Sequence, residues 1–499
     1  MSPTLPDYDE VPYEGACYRA THPDHLQAFA RLHGLEPAPV EGWRVLELGC
    51  GPGHNLMPMA ASLPGAQFVG VDLSREHIRI GQALQDLTGL QNLELRHGSI
   101  LDVDRDWGLF DAILCHGVYS WVPPDVQQAI LRIGRQNLTA AGIVYVSYNV
   151  LPGWYDRLPA REFMMRMAAG KETPRARVLA ARNALARLAG GVPEDDPQHE
   201  VLTRLDRSLT GMSDAYILHE YLSPDNAPVH FGDFLARAAE EGLGWLCEAA
   251  PLWGHRFHED ALPLLEVDPI ERQCRQDYLR NRMFRATLLT PSENEVDHLP
   301  TWERLRDGFA VSSAFSIQDE EGFRIGDEDE DCWLPITDEG VQHALRLLEE
   351  DHSRLWPLTE LAQAASVEEE VLGPALLEVF DYGILELRDR PRRCTTVVSE
   401  KPEACSYART LAAQGADKLV SRAHLQVRVE DLEQVLLPLM DGTRTHDELR
   451  TAVLHIMSRG RYDPDWKGEL MVSDKLRDNV SDLVAAMLKR LVGLGLLVG

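Results

Sequence analysis

The chain has 499 residues, with 49 lysine and arginine residues against 79 aspartate and glutamate residues, which gives a formal net charge of −30. This length predicts about two to four domains, and the 44% hydrophobic and 26% charged content is that of a folded protein rather than a disordered one. Because so acidic a chain repels a phosphate backbone, we expect no nucleic acid partner, and basic partners, or a role of the charge in solubility alone, fit better.

Local features argue against three further classes of protein. No uncharged apolar run reaches the roughly 18–20 residues that a membrane span needs. The N-terminus is acidic and proline-rich, without the basic and apolar regions of a secretory signal. The eight cysteines form no Cys-x-x-Cys pair, which predicts neither a disulfide framework nor a zinc or other metal site. A cytoplasmic protein without membrane contact is expected.

In chain order, residues 41–148 alternate short apolar runs with amphipathic stretches. Five runs predict strands: WRVLELGC, QFVGVDLS, LELRHGS, FDAILCHG and GIVYVSYN. Three stretches between them predict helices: HNLMPMAASL, REHIRIGQALQDLTG and PPDVQQAILRIGRQNL. Strands that alternate with helices at this spacing predict an α/β fold with a parallel, doubly wound sheet, which we place in a first domain at residues 1–155.

Beyond this sheet the chain is predicted to be mostly helical. Residues 156–220 form a helical insertion, and residues 221–258 return to the first domain. Residues 259–395 and 396–499 each show helices followed by a glycine and a strand, which is typical of winged-helix-like units. The helices predicted in the first unit lie at 339–350, 357–365 and 368–382. The candidate third helix of each unit is acidic or nearly neutral, which favours a protein-binding or intramolecular role over DNA binding.

The strongest local signal is the stretch VLELGCGPGHN. A strand ends at Glu47, the glycines Gly49, Gly51 and Gly53 form a turn, and a helix begins near Asn55. Glycines there let a backbone approach a ligand closely, and the helix N-terminus faces that ligand. The third glycine comes one residue earlier than in the Gly-x-Gly-x-x-Gly pattern of dinucleotide binders. An acid before the first glycine suits a ligand ammonium, such as the methionine end of S-adenosylmethionine (SAM), better than a pyrophosphate.

The ends of the next three predicted strands complete this candidate cofactor site. Asp72 ends the second strand, where a carboxylate can accept hydrogen bonds from both ribose hydroxyls. Ser99 follows the third strand, where an acid often binds adenine, so a backbone or hydroxyl contact is expected here. The neighbours at these strand ends that we also predict to line the cofactor are Leu73, Ile100, Cys115 and His116.

Several longer stretches resemble a known family. They are YDEVPY, THPDHL at 21–26, CHGVYSWVP at 115–123, SYNVLPGW at 147–154, HEYLSPDNAPVHF at 219–231, YLRNRMFRATLL at 278–289 and LPLMDGTRTHDEL at 437–449. With the glycine turn, they resemble class I SAM-dependent methyltransferases. Within that class they are similar to the bacterial enzymes with a methyltransferase regulatory domain, which include rickettsial-type protein-lysine methyltransferases.

This resemblance covers nearly the whole chain and implies an architecture. It implies a Rossmann-like, seven-stranded catalytic domain, with SAM as cofactor and S-adenosylhomocysteine as product. The insertion is a dimerisation element in the lysine methyltransferases, which is consistent with a homodimer. Residues 259–395 would be a regulatory middle domain, and residues 396–499 a C-terminal winged-helix-like domain.

A lysine acceptor must lose a proton before its nitrogen can attack a methyl group. Because the ordinary pKa of lysine is about 10.4, this step costs roughly 4–5 kcal/mol at pH 7. An apolar, aromatic-walled channel lowers the pKa of that amine because it disfavours the ammonium. We therefore predict Tyr119 and Asn149 as acceptor-side catalytic residues, since each follows or ends a strand at the edge where ligands bind.

Other aromatic side chains are predicted on the substrate side. Trp121 follows the fourth strand, and Tyr148 and Trp154 lie at and after the end of the fifth. Tyr13 and Tyr18 precede the sheet and could close over the site as a lid. The alternative is that such aromatic side chains pack the loops against the helical insertion.

Two histidines, His116 and His219, are candidate proton acceptors near neutral pH. For His116 the alternative is that it lines the cofactor, and for His219 it is a structural hydrogen bond. The acidic stretch at 319–331 could attract a lysine-rich protein, although a solvated loop explains it as well.

Three functions remain open from the sequence. The first is SAM-dependent methylation of a protein or peptide, with lysine as the favoured acceptor, because large modules beside a compact catalytic domain suit a macromolecular acceptor. The second is methylation of a small molecule or biosynthetic intermediate by the same catalytic domain. The third is a SAM-sensing scaffold without activity, which the intact Glu47, glycine turn and Asp72 argue against.

Overall fold

The computed structural model describes residues 11, 15–250, 259–306, 310–312, 316–318, 323–327, 332–350, 354–388, 395, 397–459 and 474–498. The predicted lid residue Tyr13 lies outside these residues, as do 319–322 and 328–331 of the acidic stretch. In the described part of the chain, no helix is both long enough and apolar enough to cross a membrane.

Seven strands form one sheet, and they are β1 (Arg44–Leu48), β2 (Gln67–Asp72), β3 (Leu93–His97), β4 (Phe110–Cys115), β5 (Leu138–Asn149), β6 (Leu243–Glu248) and β7 (Phe284–Pro291). Their spatial order is β3-β2-β1-β4-β5-β7-β6. The pairs among β1 to β5 are parallel, whereas β7 runs antiparallel to both β5 and β6. The predicted α/β, Rossmann-like fold with seven strands is confirmed.

The sheet extends further along the chain than the predicted boundary at residue 258. Because β7 lies between β5 and β6, residues 284–291 belong to the sheet and not to the module predicted to begin at residue 259. The alternation of strands and helices that predicts β1 to β5 gives no signal for an antiparallel strand that returns after a loop and a helix. Without β7, the facing edges of β5 and β6 would leave backbone groups unpaired.

Helices cover both faces of this sheet. The helices of residues 15–306 are α1 (Pro23–Leu32), α2 (Leu56–Ser62), α3 (Arg75–Thr88), α4 (Pro124–Gln136), α5 (Leu158–Ala168), α6 (Pro174–Gly191), α7 (Pro197–Thr210), α8 (Asp214–Tyr216), α9 (Phe231–Glu240) and α10 (Pro269–Arg280). Helices α1, α2 and α3 share one apolar layer with alternate strand residues such as Val45. Helices α4 and α9 share the opposite layer with the intervening residues, such as Leu46.

The ends of α3 show why the helix forms where it was predicted. Ser74 precedes the helix, and its Oγ accepts a hydrogen bond from His77 N at 3.1 Å. Gly89 follows the last turn with φ of 68°, a left-handed conformation that ends helices and that glycine adopts without strain. The helix therefore sits directly after β2, where it positions the residues that follow Asp72.

The helical insertion has an apolar core of its own. Helices α5 to α8, followed by a π-helical turn at Ile217–Tyr221, bury the side chains of Met164, Leu185 and Leu205, among others. This matches the helical character predicted for residues 156–220.

The C-terminal half contains smaller sheets and further helices. Its strands are β8 (Ala310–Ser312), β9 (Ser316–Gln318), β10 (Arg324–Asp327), β11 (Cys332–Pro335), β12 (Trp356–Pro357), β13 (Glu386–Arg388), β14 (Glu403–Ala404), β15 (Lys418–Val420), β16 (Gln426–Arg428) and β17 (Leu497–Val498). Its helices are α11 (Glu339–Glu350), α12 (Leu358–Ala365), α13 (Glu369–Asp381), α14 (Ser406–Ala413), α15 (Asp431–Leu436), α16 (His446–Arg459) and α17 (Asp474–Gly493).

Helices α11, α12 and α13 agree with the three helices predicted at 339–350, 357–365 and 368–382. A different helix brings the C-terminal half close to the site. In the last module, α14 packs against α2 and α3 of the catalytic domain. The C-terminal module therefore contacts the two helices that follow the first two strand ends.

Candidate active site

The turn after β1 leaves open space at the strand ends. Gly49, Gly51 and Gly53 have φ of 76°, 53° and 80°, values that residues with a side chain rarely adopt. Among the described residues, a Cβ on Gly51 would meet no atom within 4 Å, whereas a Cβ on Gly49 would lie 2.5 Å from Val118 Cγ2. Gly49 thus allows close packing of the turn, and Gly51 presents backbone to the space where a ligand would lie.

Glu47, near the end of β1, is buried beneath this turn with 3% of its surface exposed. Its Oε1 accepts a hydrogen bond from Asn55 Nδ2 at 2.7 Å. Within the described residues, its Oε2 is buried and accepts no hydrogen bond. Burial raises the pKa of Glu47 to about 8, with the Asn55 hydrogen bond opposing and the charge of Asp72 adding to that shift. A buried carboxylate oxygen without a donor fits the ammonium group of SAM.

Asp72, at the end of β2, is held by the turn it faces. Its Oδ2 accepts from Gly51 N at 2.8 Å, and its Oδ1 accepts from Ser74 N at 2.9 Å. The same Oδ1 lies 3.2 Å from His77 Nδ1. Because each carboxylate oxygen has more than one lone pair, these contacts orient Asp72 and leave it able to accept from ribose hydroxyls.

The end of β3 is organised by a short 3-10 turn. Ser99 Oγ accepts from Leu101 N at 3.1 Å, and Asp102 Oδ2 accepts from Ser99 N at 3.0 Å. The Ser99 hydroxyl is therefore engaged as a cap. Asp102, which the sequence analysis did not single out, brings an exposed carboxylate to this strand end. Of the other predicted neighbours, Ile100 is half-buried and Leu73 is exposed.

The two residues at the end of β4 point to opposite sides of the sheet. The side chain of Cys115 is fully buried in the layer shared with α4 and α9, so its thiol does not reach the strand-end space. His116 lies on the other side, where the Tyr18 ring stacks on its imidazole with 3.5 Å between centroids. The His116 Nδ1 lies 2.8 Å from the Tyr145 hydroxyl, and the Phe284 ring is 6.1 Å away. The Cys115 side chain is therefore turned away from the strand-end space, and a cofactor contact through its backbone stays a prediction.

Tyr18 and His116 form one wall of the site. Burial, followed by the charges of Glu47, Glu220 and Cys17, raises the pKa of Tyr18 to about 12. Burial lowers the pKa of His116 to about 3. The imidazole is neutral at physiological pH and is too weak a base to take a proton from an ammonium.

Tyr119 and Tyr148 do not reach this space. Tyr119 is fully buried with its ring edge-on to Phe234 at 5.3 Å, and Tyr148 stacks on Phe234 at 4.1 Å. The Tyr148 hydroxyl lies 2.9 Å from Thr287 Oγ1. Both side chains belong to the layer shared with α4 and α9. These positions conflict with the predicted acceptor-side role of Tyr119 and the predicted substrate contact of Tyr148.

The two tryptophans pack a loop against the insertion, which was the alternative interpretation. Trp121 and Trp154 meet edge-to-face at 6.0 Å between ring centroids. Trp154 is buried and lies 6.4 Å from the Tyr221 ring in the π-helical turn. The predicted substrate contacts of Trp121 and Trp154 gain no support from this geometry.

Asn149 lies at the edge of the site but is engaged in structural hydrogen bonds. It is buried, its backbone N donates to Ser120 Oγ at 2.8 Å, and its Nδ2 lies 3.3 Å from Asn226 Oδ1. In the sheet it pairs with Phe284 of β7. Asn149 therefore holds the loop beside the aromatic wall.

The π-helical turn places a histidine and a glutamate beside the N-terminal segment. His219 Nε2 lies 2.8 Å from the carbonyl oxygen of Val11, and burial lowers the pKa of His219, which suits the structural alternative. Burial raises the pKa of Glu220 to about 7. Sequence analysis missed Glu220, although it stands next to His219 in the stretch that resembles the family. π-helical turns are rare in proteins, and those that occur often lie at functional sites.

Comparisons with known protein families agree with this geometry. Residues 45–142 match the family described as methyltransferase domain, residues 213–290 match the predicted methyltransferase regulatory domain, and residues 400–496 match the PKMT C-terminal winged helix domain. The last match agrees with the winged-helix-like unit predicted at 396–499. The regulatory match begins and ends earlier than the predicted 259–395, and it includes β6 and all but the last residue of β7.

Individual proteins extend the likeness over the whole chain. The structure of PKMT2 from Rickettsia typhi in complex with AdoHcy superposes with a TM-score of 0.85 and 26% identity, and the match covers 98% of this chain and 100% of that one. Rickettsia prowazekii RP028 is 36% identical over 47% of this chain and 94% of its own length. Rickettsia prowazekii RP789 is 36% identical over 58% of this chain but only 53% of its own length. The chain belongs to the class I SAM-dependent methyltransferases of the rickettsial PKMT type, and its cofactor is SAM.

Proposed function

We propose that the chain transfers the methyl group of SAM to a lysine side chain of a protein or peptide. The likeness to PKMT2 supports this proposal, because PKMT denotes a protein-lysine methyltransferase and the likeness includes the modules outside the catalytic sheet. Modules of that size suit a macromolecular acceptor more than a metabolite.

The observation that carries the proposal is an aromatic wall beside the strand ends. Tyr18, His116 and Phe284 lie together on the side of the sheet that Glu47 and the glycine turn open toward. SAM, when bound, supplies a methyl group on a positively charged sulfur, which keeps the bonding electrons as the acceptor nitrogen attacks. An aromatic, partly dry wall disfavours a lysine ammonium and so increases the fraction of neutral amine that can attack.

We propose cofactor roles for the residues at the strand ends. Glu47 accepts from the ammonium of SAM through Oε2, Asp72 accepts from the ribose, and the backbone of the glycine turn lies against the cofactor. The residues proposed to line the remaining cofactor surface are Gly49, Gly51, Gly53, Asn55, Leu73, Ser99, Ile100 and His116.

Glu220 is the proposed proton acceptor. The charge of Glu220 acts on Tyr18, one ring of the aromatic wall, and a pKa of about 7 leaves about half of Glu220 ionised at neutral pH. An ionised Glu220 pairs with an approaching lysine ammonium and takes one of its protons, which leaves the amine neutral for attack. Neither histidine proposed from the sequence has such a pKa.

Tyr119→Phe distinguishes this site from the one predicted from sequence. The ring packing against Phe234 is retained and the lost hydroxyl lies in the opposite layer. We therefore expect SAM affinity by calorimetry and the rate of methyl transfer to stay within about twofold of wild type. A tenfold loss of rate at unchanged melting temperature would restore the acceptor-side role of Tyr119.

The acceptor class is tested with radiolabelled SAM and a bacterial lysate separated into protein and small-molecule fractions. The expected result is label in discrete protein bands, located on lysine by mass spectrometry, and strongly reduced with the Glu47→Gln chain at low SAM concentration. Label confined to small molecules would replace the proposal with a metabolite methyltransferase. SAM binding without transfer to either fraction would favour the sensing scaffold.

A further inference from the structure

A hairpin of the C-terminal module reaches the residues of the proposed cofactor site. Strands β15 and β16 pair antiparallel, and the turn between them carries His424. His424 is 3% exposed, and its Nε2 lies 2.9 Å from Asn55 Oδ1 at the start of α2. These residues are separated by 369 positions in the chain.

The backbone of His424 adopts an uncommon conformation at this contact. Its φ of 58° lies in the left-handed region, which non-glycine residues enter rarely. The turn is held by His424 N donating to Ser421 O at 2.9 Å and Ser421 N donating to Leu425 O at 2.9 Å. The hairpin thus holds one imidazole in a fixed direction toward Asn55.

Asn55 links that imidazole to the buried carboxylate. Its Oδ1 accepts from Tyr18 N at 3.0 Å, and its Nδ2 donates to Glu47 Oε1 at 2.7 Å. Since a backbone N–H can only donate, the Tyr18 contact fixes which end of the amide is the oxygen. The donor His424 Nε2–H on that oxygen, together with Thr21 Oγ1, which accepts from Nδ2 at 3.0 Å, then holds Nδ2 against Glu47. Burial lowers the pKa of His424, so the ring is neutral and must carry its proton on Nε2 to donate here.

We propose that His424 is a positioning residue through which the C-terminal winged-helix module controls SAM affinity. By orienting Asn55, it fixes Glu47 with Oε2 turned to the cofactor ammonium. The inference rests on the proposed cofactor role of Glu47 and goes beyond it, because it assigns the docked C-terminal module a part in forming the cofactor site. A chain in which this hairpin is displaced would bind SAM weakly.

The test compares two nucleosides on the full-length chain by calorimetry. S-adenosylhomocysteine carries the methionine ammonium, and 5′-methylthioadenosine lacks it. We expect His424→Leu to weaken S-adenosylhomocysteine binding about tenfold and to leave methylthioadenosine binding within twofold. His424→Gln retains a donor that can reach Asn55, and we expect it to recover most of the lost affinity. The control Gln426→Ala changes an exposed residue of the same hairpin and should affect neither nucleoside.

The outcomes separate this inference from the proposed function. Equal weakening of both nucleosides by His424→Leu, or wild-type binding of both, would overturn the positioning role while leaving the cofactor site in place. Binding of neither nucleoside to the wild-type chain would overturn the cofactor assignment and the inference with it. If His424→Leu does not fold, His424→Phe, which keeps a ring but no donor, is compared with His424→Gln in the same way.

Discussion

Glu47→Gln is expected to weaken SAM binding by roughly 10- to 150-fold, the equivalent of a hydrogen bond to a charged group at about 1.5–3 kcal/mol. The substitution keeps the size of the side chain and its contact with Asn55, and removes the negative charge that faces the SAM ammonium. Titration calorimetry at pH 8 measures the loss, with wild type and Glu47→Gln compared under one ionic strength.

The pH dependence of SAM binding provides a second test of the contact between the Glu47 carboxylate and the SAM ammonium. The complex requires an ionised Glu47, whose pKa is about 8 in the free protein, and a protonated ligand amine, for which the ordinary pKa of an α-amino group is about 7.7–8.0. Affinity should therefore peak near pH 8 and decline on the acidic side with a slope approaching about tenfold per pH unit. In Glu47→Gln the acidic decline should disappear.

Folding stability supplies a control for the binding measurement. The contribution of Glu47 to stability falls as the pH rises, whereas its contribution to SAM affinity rises up to about pH 8. An acid whose pKa rises on folding, here from 4.5 to about 8, stabilises the fold below its unfolded pKa and loses that contribution as the pH rises through the folded value. Without ligand, Glu47→Gln should therefore melt at the same temperature as wild type or higher at pH 8.5. Wild-type affinity and an unchanged pH profile in this variant would show that Oε2 does not hold the ammonium.

The cofactor side of the site is predictable from sequence because its signals are local. The glycine turn, Glu47 and Asp72 stand at fixed offsets from strand ends, and a parallel sheet brings the carboxyl ends of adjacent strands to one edge. Strands β1 to β5 and helix α3 follow from the same periodicity. For these elements, local spacing determines where the residues lie.

The acceptor side of the site was predicted less well than the cofactor side. Its composition depends on which face of the sheet each side chain points to. Tyr119 and Tyr148 lie close to strand ends, as expected, but their side chains enter the layer with α4 and α9. Tyr18 reaches His116 from outside the sheet, and Phe284 comes from β7, an antiparallel strand without a local signal. The contact of His424 with Asn55 spans most of the chain, and no local spacing could indicate it.

In the domain organisation too, features with a local sequence signal were predicted, and features that depend on distant segments were not. Helices α11, α12 and α13 were predicted to within one residue at each end, since their periodicity is internal to each helix, whereas α14 lies in a stretch that was predicted to be a polar segment. The predicted boundary at residue 258 lies before the end of the sheet, because β7 returns to it at residues 284–291. Homodimerisation through the insertion stays a prediction.

Glu220→Gln should reduce the rate of methyl transfer by about 100- to 1,000-fold, the range expected when a general base is lost, and leave SAM affinity within about twofold. Glu220 belongs to the π-helical turn and its charge acts on Tyr18, whereas the cofactor contacts proposed above come from the strand ends. The isosteric amide keeps the π-helical turn and removes the proton acceptor. The effect is measured as single-turnover rates with labelled SAM. The acceptor is the unmethylated form of a protein identified in the lysate experiment.

The pH profile distinguishes a proton acceptor from a structural residue. With the pKa of Glu220 near 7, the wild-type rate should rise about tenfold per pH unit below that value and level off above it. In Glu220→Gln the rise should move toward the pKa of the lysine amine, so that the variant recovers at high pH. The matched control is His219→Gln, one residue earlier, where an amide donor can still reach the Val11 carbonyl and the profile should stay that of wild type. An unchanged profile in Glu220→Gln, even with a slower rate, would assign Glu220 a structural role and leave the aromatic wall alone to produce the neutral amine.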